Sequence, residues 1–216
     1  MTEDETTAPR PKPRLRGVAH VVGAVLAVPA VYVMVRHARS GPAESAALVY
    51  GLSTVLLLSV SAIYHTPMWL PETRMKLRRL DRSAIYLLIA GSYMPVCLAI
   101  GGQTGRILAI VVWSGAAVGL SMAIGWIKAP RAATAIPYVL LGWAIVPFVG
   151  DLYRNIGIVS FALFACGGLL YTVGALVYAR RRPDPVPAVF GYHEIFHVLV
   201  LVACATHYAA VWRIVT

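Results

Sequence analysis

Charged side chains are scarce in this chain. They make up 13% of its 216 residues, and only nine of them are acids. A soluble domain carries charge on about a quarter of its residues, so an ordinary water-soluble globule is excluded. Cysteine is sparse too: Cys97, Cys166 and Cys204 lie inside apolar stretches with no paired spacing. They imply no disulfide framework and read as small core residues. Polar runs long enough for a separate soluble domain are missing, which leaves a single domain. What fills the chain is apolar sequence. Hydrophobic residues are 59% of it, and the mean hydropathy is +0.72.

A membrane-spanning helix needs about 20 mostly apolar residues, and seven stretches meet that need. They fall at roughly 17–35, 45–65, 82–100, 107–127, 133–150, 156–179 and 192–212, with ends uncertain by about two to four residues. Backbone groups in lipid must be satisfied within the segment, so the stretches are helices rather than open strands. The pattern predicts an all-α membrane protein, a seven-transmembrane helix bundle over residues 14–216. Residues 1–13, rich in Thr, Pro and charge, form a disordered cytoplasmic tail. The basic residues before Val28-Pro29-Ala30 also fit a signal peptide with a small-residue cleavage site. The apolar run continues to Val35, however, and acids as well as bases precede it, which favours a retained first helix.

The net charge of +10 suggests nucleic acid until the charges are placed. Of the 19 Lys and Arg, 14 fall in one set of alternate loops: Arg10 to Arg16, Arg74 to Arg82, Lys128 with Arg131, and Arg180 to Arg182. The other side has Arg36, Arg39, Arg106, Arg154 and Arg213. That is a positive-inside bias. It places the N-terminus in the cytoplasm and, with seven spans, the C-terminus outside. Attraction to an anionic leaflet accounts for the basic loops. With no stacking groove or binding motif, a nucleic-acid partner is not expected. Membrane lipids are, and the location is the cell (plasma) membrane, crossed several times.

That topology brings four titratable groups to one depth. His65 ends the second stretch, Asp81 opens the third, and His193 and His197 begin the seventh. Ionisable groups in membrane segments are costly and usually functional. His193 and His197, at i and i+4, share one helix face. With His65 they supply three imidazoles, leaving a fourth position for water, as in catalytic zinc sites. Zinc suits imidazole and tetrahedral geometry, while copper, iron and nickel stay open, as does a purely structural ion. Asp81 reads either as a base or acceptor for metal-bound water, or as an ion-pair partner of Arg78, Arg79 or Arg82. Ser61, one turn before His65, either orients that water or Asp81, or bonds its own i−4 carbonyl. His20 is a partner of the site or an interface residue. His207 lies about 15 Å up the helix from His197 and cannot share its ion. His193-Glu194-Ile195-Phe196-His197 also matches H-E-x-x-H, in which Glu194 would be the base of an intramembrane protease. Gly115 and Gly119 form a small-x-x-x-small pair, the one feature in favour of a homo-oligomer.

Several motifs together resemble one family. They are Lys12-Pro13-Arg14-Leu15-Arg16-Gly17 followed by His20; Ser61-Ala62-Ile63-Tyr64-His65 with Trp69; the run Leu80-Asp81-Arg82-Ser83-Ala84-Ile85-Tyr86 through Gly91-Ser92-Tyr93-Met94-Pro95; and Gly191-Tyr192-His193-Glu194-Ile195-Phe196-His197. Spread over nearly the whole chain, they are similar to the hemolysin III family of the progestin and adipoQ receptor superfamily. The resemblance implies seven helices, a cytoplasmic N-terminus and a zinc ion near the cytoplasmic side, held at the positions of His65, His193 and His197. It implies that Asp81 lies near a zinc-bound water with Ser61 beside the site. The wider group includes alkaline ceramidases, which are lipid amidases, and a pore-forming role is attached to some bacterial members. Relatives often have Asp-His where this chain has Asp81-Arg82. That position is not a ligand, so the change leaves zinc binding untouched and bears on Asp81 as a general acid more than on its binding of water.

The leading functional expectation is a zinc-dependent hydrolase of a lipid-like amide or ester. His65, His193 and His197 hold the ion, Asp81 moves the proton and Ser61 orients the water. Two alternatives come from other classes: a non-enzymatic membrane sensor with structural zinc, and a cytolysin. Seven apolar helices with few inward charges do not look like a water-filled pore.

Overall fold

The computed structural model describes residues 12–126 and 129–216. The tail expected at 1–13, except for Lys12 and Pro13, lies outside the described residues, as does Lys128. Among the described residues there are seven α-helices: α1 (Val18–His37), α2 (Pro42–His65), α3 (Pro71–Ile100), α4 (Gly102–Gly125), α5 (Arg131–Gly142), α6 (Val149–Arg180) and α7 (Tyr192–Val215). One 3-10 turn, Val146–Phe148, separates α5 from α6. Pro42 and Pro71 stand at the starts of α2 and α3, where the missing N–H costs nothing and the fixed φ suits the first turn.

Two elements depart from the apolar pattern, each for a local reason. Helix α3 begins at Pro71, well before the apolar stretch at 82, because no breaker interrupts the polar run Glu72–Arg79. Asp81 therefore sits inside α3 instead of opening it. The apolar stretch at 133–150 is not one helix. It breaks after Gly142, and Pro147 has no N–H to continue a ladder. The buried Tyr93 closes the gap: its hydroxyl donates to the Gly142 carbonyl at 2.7 Å and accepts from the Ile145 N–H at 3.1 Å. A second break lies inside α6 at Gly157, whose φ of 71° is open to glycine and strained for other residues.

The molecule is a membrane helical bundle. Six segments among the described residues are long and apolar enough to cross a bilayer: α1, α2, α3, α4, α7 and the 50-residue region Arg131–Arg180. Helix α3 lies centrally, against α2, α4, α5, α6 and α7, while α7 closes back on α1 and α2. Leu57, Ala84, Leu88, Val200 and Cys204 form a buried cluster where α2, α3 and α7 meet. A larger one, around Tyr86, Tyr93, Leu108 and Val112, joins α3 to α4. The outward faces are apolar as well, with Val25, Leu52, Ile110 and Val118 exposed, as lipid contact requires. Gly115 and Gly119 are used inside the chain. A Cβ on Gly119 would fall 2.1 Å from the Tyr86 ring, and one on Gly115 would fall 2.6 Å from Leu141.

The N-terminal segment Lys12–Gly17 is a strap over one end of the bundle. Its Arg14 and Leu15 N–H groups donate to the Ala188 and Val189 carbonyls before α7. Lys12 Nζ donates to the Thr66 carbonyl at 2.7 Å, past the end of α2. The strap thus ties the end of α2 to the approach to α7, the two places that carry the paired motifs.

Candidate metal centre

Local structure explains how the histidines arrive. His65 is the last residue of α2, and His193 and His197 lie in the first two turns of α7. The start of α7 is fixed by Glu194, which accepts the Gly191 N–H at 2.8 Å and pairs with Arg16 of the strap. Asp184 accepts the Tyr192 N–H at 3.0 Å. The orphan amides at the helix start are thereby partly satisfied by carboxylates, and the α7 histidines gain a fixed direction.

The three rings form a tight cluster, with centroids 4.6 to 4.8 Å apart. One ligand nitrogen from each of His65, His193 and His197 lies within 4.8 Å of the others. His193 Nε2 and His65 Nε2 are 3.3 Å apart. Bonds of about 2.0–2.1 Å at tetrahedral angles put ligand nitrogens about 3.3 Å apart, so this pair already has the spacing of a shared ion. The remaining nitrogen lies within 4.8 Å of this pair. His197 is 2% exposed, and its Nδ1 is buried with no hydrogen-bond partner. An orphaned buried nitrogen costs about 1–3 kcal/mol. Three imidazoles, one short contact and one orphan fit a metal ion well.

Asp81 and Ser61 join the cluster. Asp81 Oδ2 lies 3.9 Å from His65 Nε2, and the buried Ser61 lines the same end of the cavity as Asp81. All five sequence-predicted residues therefore meet at one place. Glu194 does not join them, because its carboxylate is held by Arg16 and the Gly191 N–H. His207 lies deep in the bundle with Nε2 against the Phe164 carbonyl at 3.2 Å. His37 is exposed, its Nδ1 at 2.8 Å from the Val33 carbonyl.

Several neighbours complete the walls of the site. His20, 2% exposed, stacks on His197 with centroids 3.9 Å apart and planes 5° from parallel. Its position early in α1 marked it, but only the approach of α1 to α7 makes it a wall of the site. Tyr178 and Tyr192 pack their rings 5.8 and 6.1 Å from His193. Gly17 permits the close pass of the strap: its φ is 87°, and a Cβ there would fall 3.0 Å from that of His65. Basic residues crowd the rim. Partial burial, then the charges of Arg16 and Arg74, hold the Lys12 ammonium below the usual lysine range.

The cluster opens into a cavity of about 1500 Å³, larger than the roughly 300–1,000 Å³ of common ligand pockets. Ser61, His65, Asp81, His193 and His197 line its polar end. Val96, Phe161, Phe164, Val200 and Tyr171 line the rest, which reaches His207. From His193 to His207 is about 21 Å along the helix at 1.5 Å per residue. Such a space suits an aliphatic chain.

A family model described as Haemolysin-III related matches residues 9–208. The chain belongs to the haemolysin III family. It is 34% identical over 188 residues to Hemolysin-3 of Bacillus cereus, covering 85% of this chain and 83% of that one. To the human monocyte to macrophage differentiation factor it is 27% identical, covering 77% and 69%. To the rice heptahelical transmembrane protein ADIPOR2 it is 39% identical over 97 residues, 38% of this chain and 42% of that one. These relatives, matched over less of the chain, extend the likeness from haemolysin III proteins to the progestin and adipoQ receptor superfamily.

Proposed function

We propose that this haemolysin III protein is a zinc-dependent membrane hydrolase that cleaves a lipid-like amide or ester. The observation that carries this reading is the joining of two features: three histidine nitrogens within 4.8 Å of one another, and a largely apolar cavity of about 1500 Å³ opening from them. His65, His193 and His197 would hold the ion. Bound zinc supplies an acidified water and a charge that polarises a carbonyl. The chain's own residues do the rest. The cavity wall seats the aliphatic chain, excludes water from it and brings the scissile carbonyl to the histidines. Asp81 Oδ2 takes a proton from the attacking water and returns it to the leaving nitrogen or oxygen. Ser61 holds that carboxylate in place. His20 packs on His197 and limits its rotation.

The same reading places seven passes in the cell membrane. The region Arg131–Arg180 is 50 residues, broken at Gly157, and a crossing needs about 20, so it has length for two. The rice relative is itself called heptahelical. The Lys and Arg bias puts the N-terminus and the histidine cluster at the cytoplasmic side and the C-terminus outside.

The test is transition-metal analysis of purified protein together with hydrolysis of long-chain amides and esters. Asp81→Asn should keep the metal and lose about 10²–10⁴-fold in rate. Wild-type protein lacking metal, or an Asp81→Asn variant with unchanged turnover, overturns the reading. The name Hemolysin-3 of the Bacillus cereus relative supports a second reading, membrane lysis. Liposome leakage that persists when the three histidines are mutated would favour it, because lysis needs no such cluster.

A further inference from the structure

Away from the histidine cluster, the cavity wall holds polar side chains whose hydrogen bonds are already made. The Ser92 hydroxyl donates to the Ile89 carbonyl and the Thr172 hydroxyl to the Gly168 carbonyl, each at 2.8 Å. Tyr93 is committed at the break between α5 and α6. His207 is held differently. Its ring lines the far end of the cavity and is 9% exposed, and its Nδ1 is buried with no hydrogen-bond partner. The other nitrogen sets the tautomer. Nε2 lies 3.2 Å from the Phe164 carbonyl. A carbonyl only accepts, so Nε2 carries the proton and Nδ1 of the neutral ring is an acceptor. An unmet buried acceptor is costly, and an apolar side chain would line this end without that cost. The ring is also fitted closely. Gly167 makes room for it, since a Cβ there would fall 2.2 Å from the imidazole. The Phe164 and Tyr171 rings pack 5.0 and 5.3 Å from it. Tyr171 lines the same end, and its hydroxyl faces the Cys204 Sγ at 3.2 Å, a weak partner.

We propose that His207 anchors a second polar subsite, where Nδ1 accepts a hydrogen bond from a hydroxyl on the remote end of a chain seated in the cavity. The ligand class is long-chain amphiphiles hydroxylated near their far end. This rests on the hydrolase reading for seating the chain, and not on cleavage. The tautomer selects the functional group: a hydroxyl brings a proton to Nδ1, whereas a ketone or ester carbonyl brings none. Helix geometry selects its position. The histidine cluster and His207 are about 21 Å apart along α7. An extended chain advances about 1.2 Å per bond, so the hydroxyl belongs about 17 bonds from the group at the histidines. A hydroxyl halfway along would meet the apolar wall of Val96, Phe161 and Val200, where it finds no partner and is disfavoured.

The test is equilibrium binding of radiolabelled 1-hexadecanol, 1,16-hexadecanediol and 1,8-hexadecanediol to full-length protein in phosphatidylcholine nanodiscs, with empty nanodiscs as blank. None of the three has an amide or ester to cleave. Wild type should bind the 1,16-diol at least about tenfold more tightly than its 1,8 isomer, a difference of about 1.4 kcal/mol. His207→Leu should erase that preference while leaving hexadecanol affinity within about threefold of wild type, which verifies that the cavity is intact. His207→Asn, whose amide oxygen is again an acceptor, should retain part of the preference. Equal affinity for the two isomers in wild type, or an intact preference in His207→Leu, overturns the proposal. Should the leucine variant fail to fold, the isomer comparison in wild type decides alone. A further arm tests the functional group. If 16-oxoheptadecan-1-ol, with a ketone in place of the remote hydroxyl, binds wild type as tightly as the 1,16-diol, the site is a donor and the proposal falls. Binding is read without turnover, so the two readings fail separately. An isomer preference in protein that hydrolyses nothing sinks the hydrolase alone. Hydrolysis with no isomer preference sinks only the role of His207.

Discussion

Removal of the His65 ring tests the metal centre most directly. Structural zinc sites are worth about 10–16 kcal/mol across four ligands. One ligand therefore carries about 2.5–4 kcal/mol, and His65→Ala should weaken zinc about 10²–10³-fold. The ring contributes little else. It ends α2, its side chain is still 11% exposed, and it touches Tyr64 and the other two histidines rather than the apolar core. Metal-free variant and metal-free wild type should therefore differ by about 1 kcal/mol or less. The assay is zinc competition against a chromophoric chelator, with thermal unfolding at a zinc concentration 100-fold above the wild-type Kd. Ligation there stabilises wild type by about 2.7 kcal/mol. The variant, with the same free zinc, should gain under about 0.5 kcal/mol. Zinc affinity within threefold of wild type, or an equal thermal gain, would refute shared coordination by His65.

Two further substitutions test the scaffold. Glu194→Gln keeps an acceptor for the Gly191 N–H but removes the charge facing Arg16. It should cost about 1–3 kcal/mol in unfolding free energy while metal content and turnover of the folded protein stay unchanged. A loss of turnover at full metal occupancy would instead restore Glu194 as the base of an H-E-x-x-H protease. Gly119→Leu drives a side chain into the Tyr86 ring and should cost about 1–3 kcal/mol, with no change of oligomeric state on size-exclusion chromatography. A change of assembly without loss of stability would return this pair of glycines to an intermolecular role.

Much of the centre was readable because membrane sequence is a stringent background. Histidines stand out among apolar residues, and the i,i+4 pair His193 and His197 defines a face without further information. Charge placement pointed to a common depth for His65, Asp81 and the α7 pair, and the fold brings them together. The misplaced boundaries have the opposite cause. Hydropathy reports where lipid would begin, and α3 continues through polar residues to Pro71. Likewise, uniform apolarity at 133–150 hid a break that depends on a tyrosine hydroxyl from another helix. Arg131, Tyr178 and Tyr192 escaped notice because an arginine in a basic loop looks like every other cation there. Only the contacts of Arg131, at the start of α5, with Tyr178 of α6 and Tyr192 of α7 distinguish it. The stacking of His20 on His197 is likewise a tertiary fact, joining the first helix to the last.

The order of the ligands along the chain carries a consequence for biosynthesis. His65 leaves the ribosome 128 residues before His193. The strap that covers them pairs with residues just as late, Ala188 and Val189. A chain that stops short of α7 cannot assemble the three-histidine cluster. Assembly of the cluster therefore waits for the start of α7.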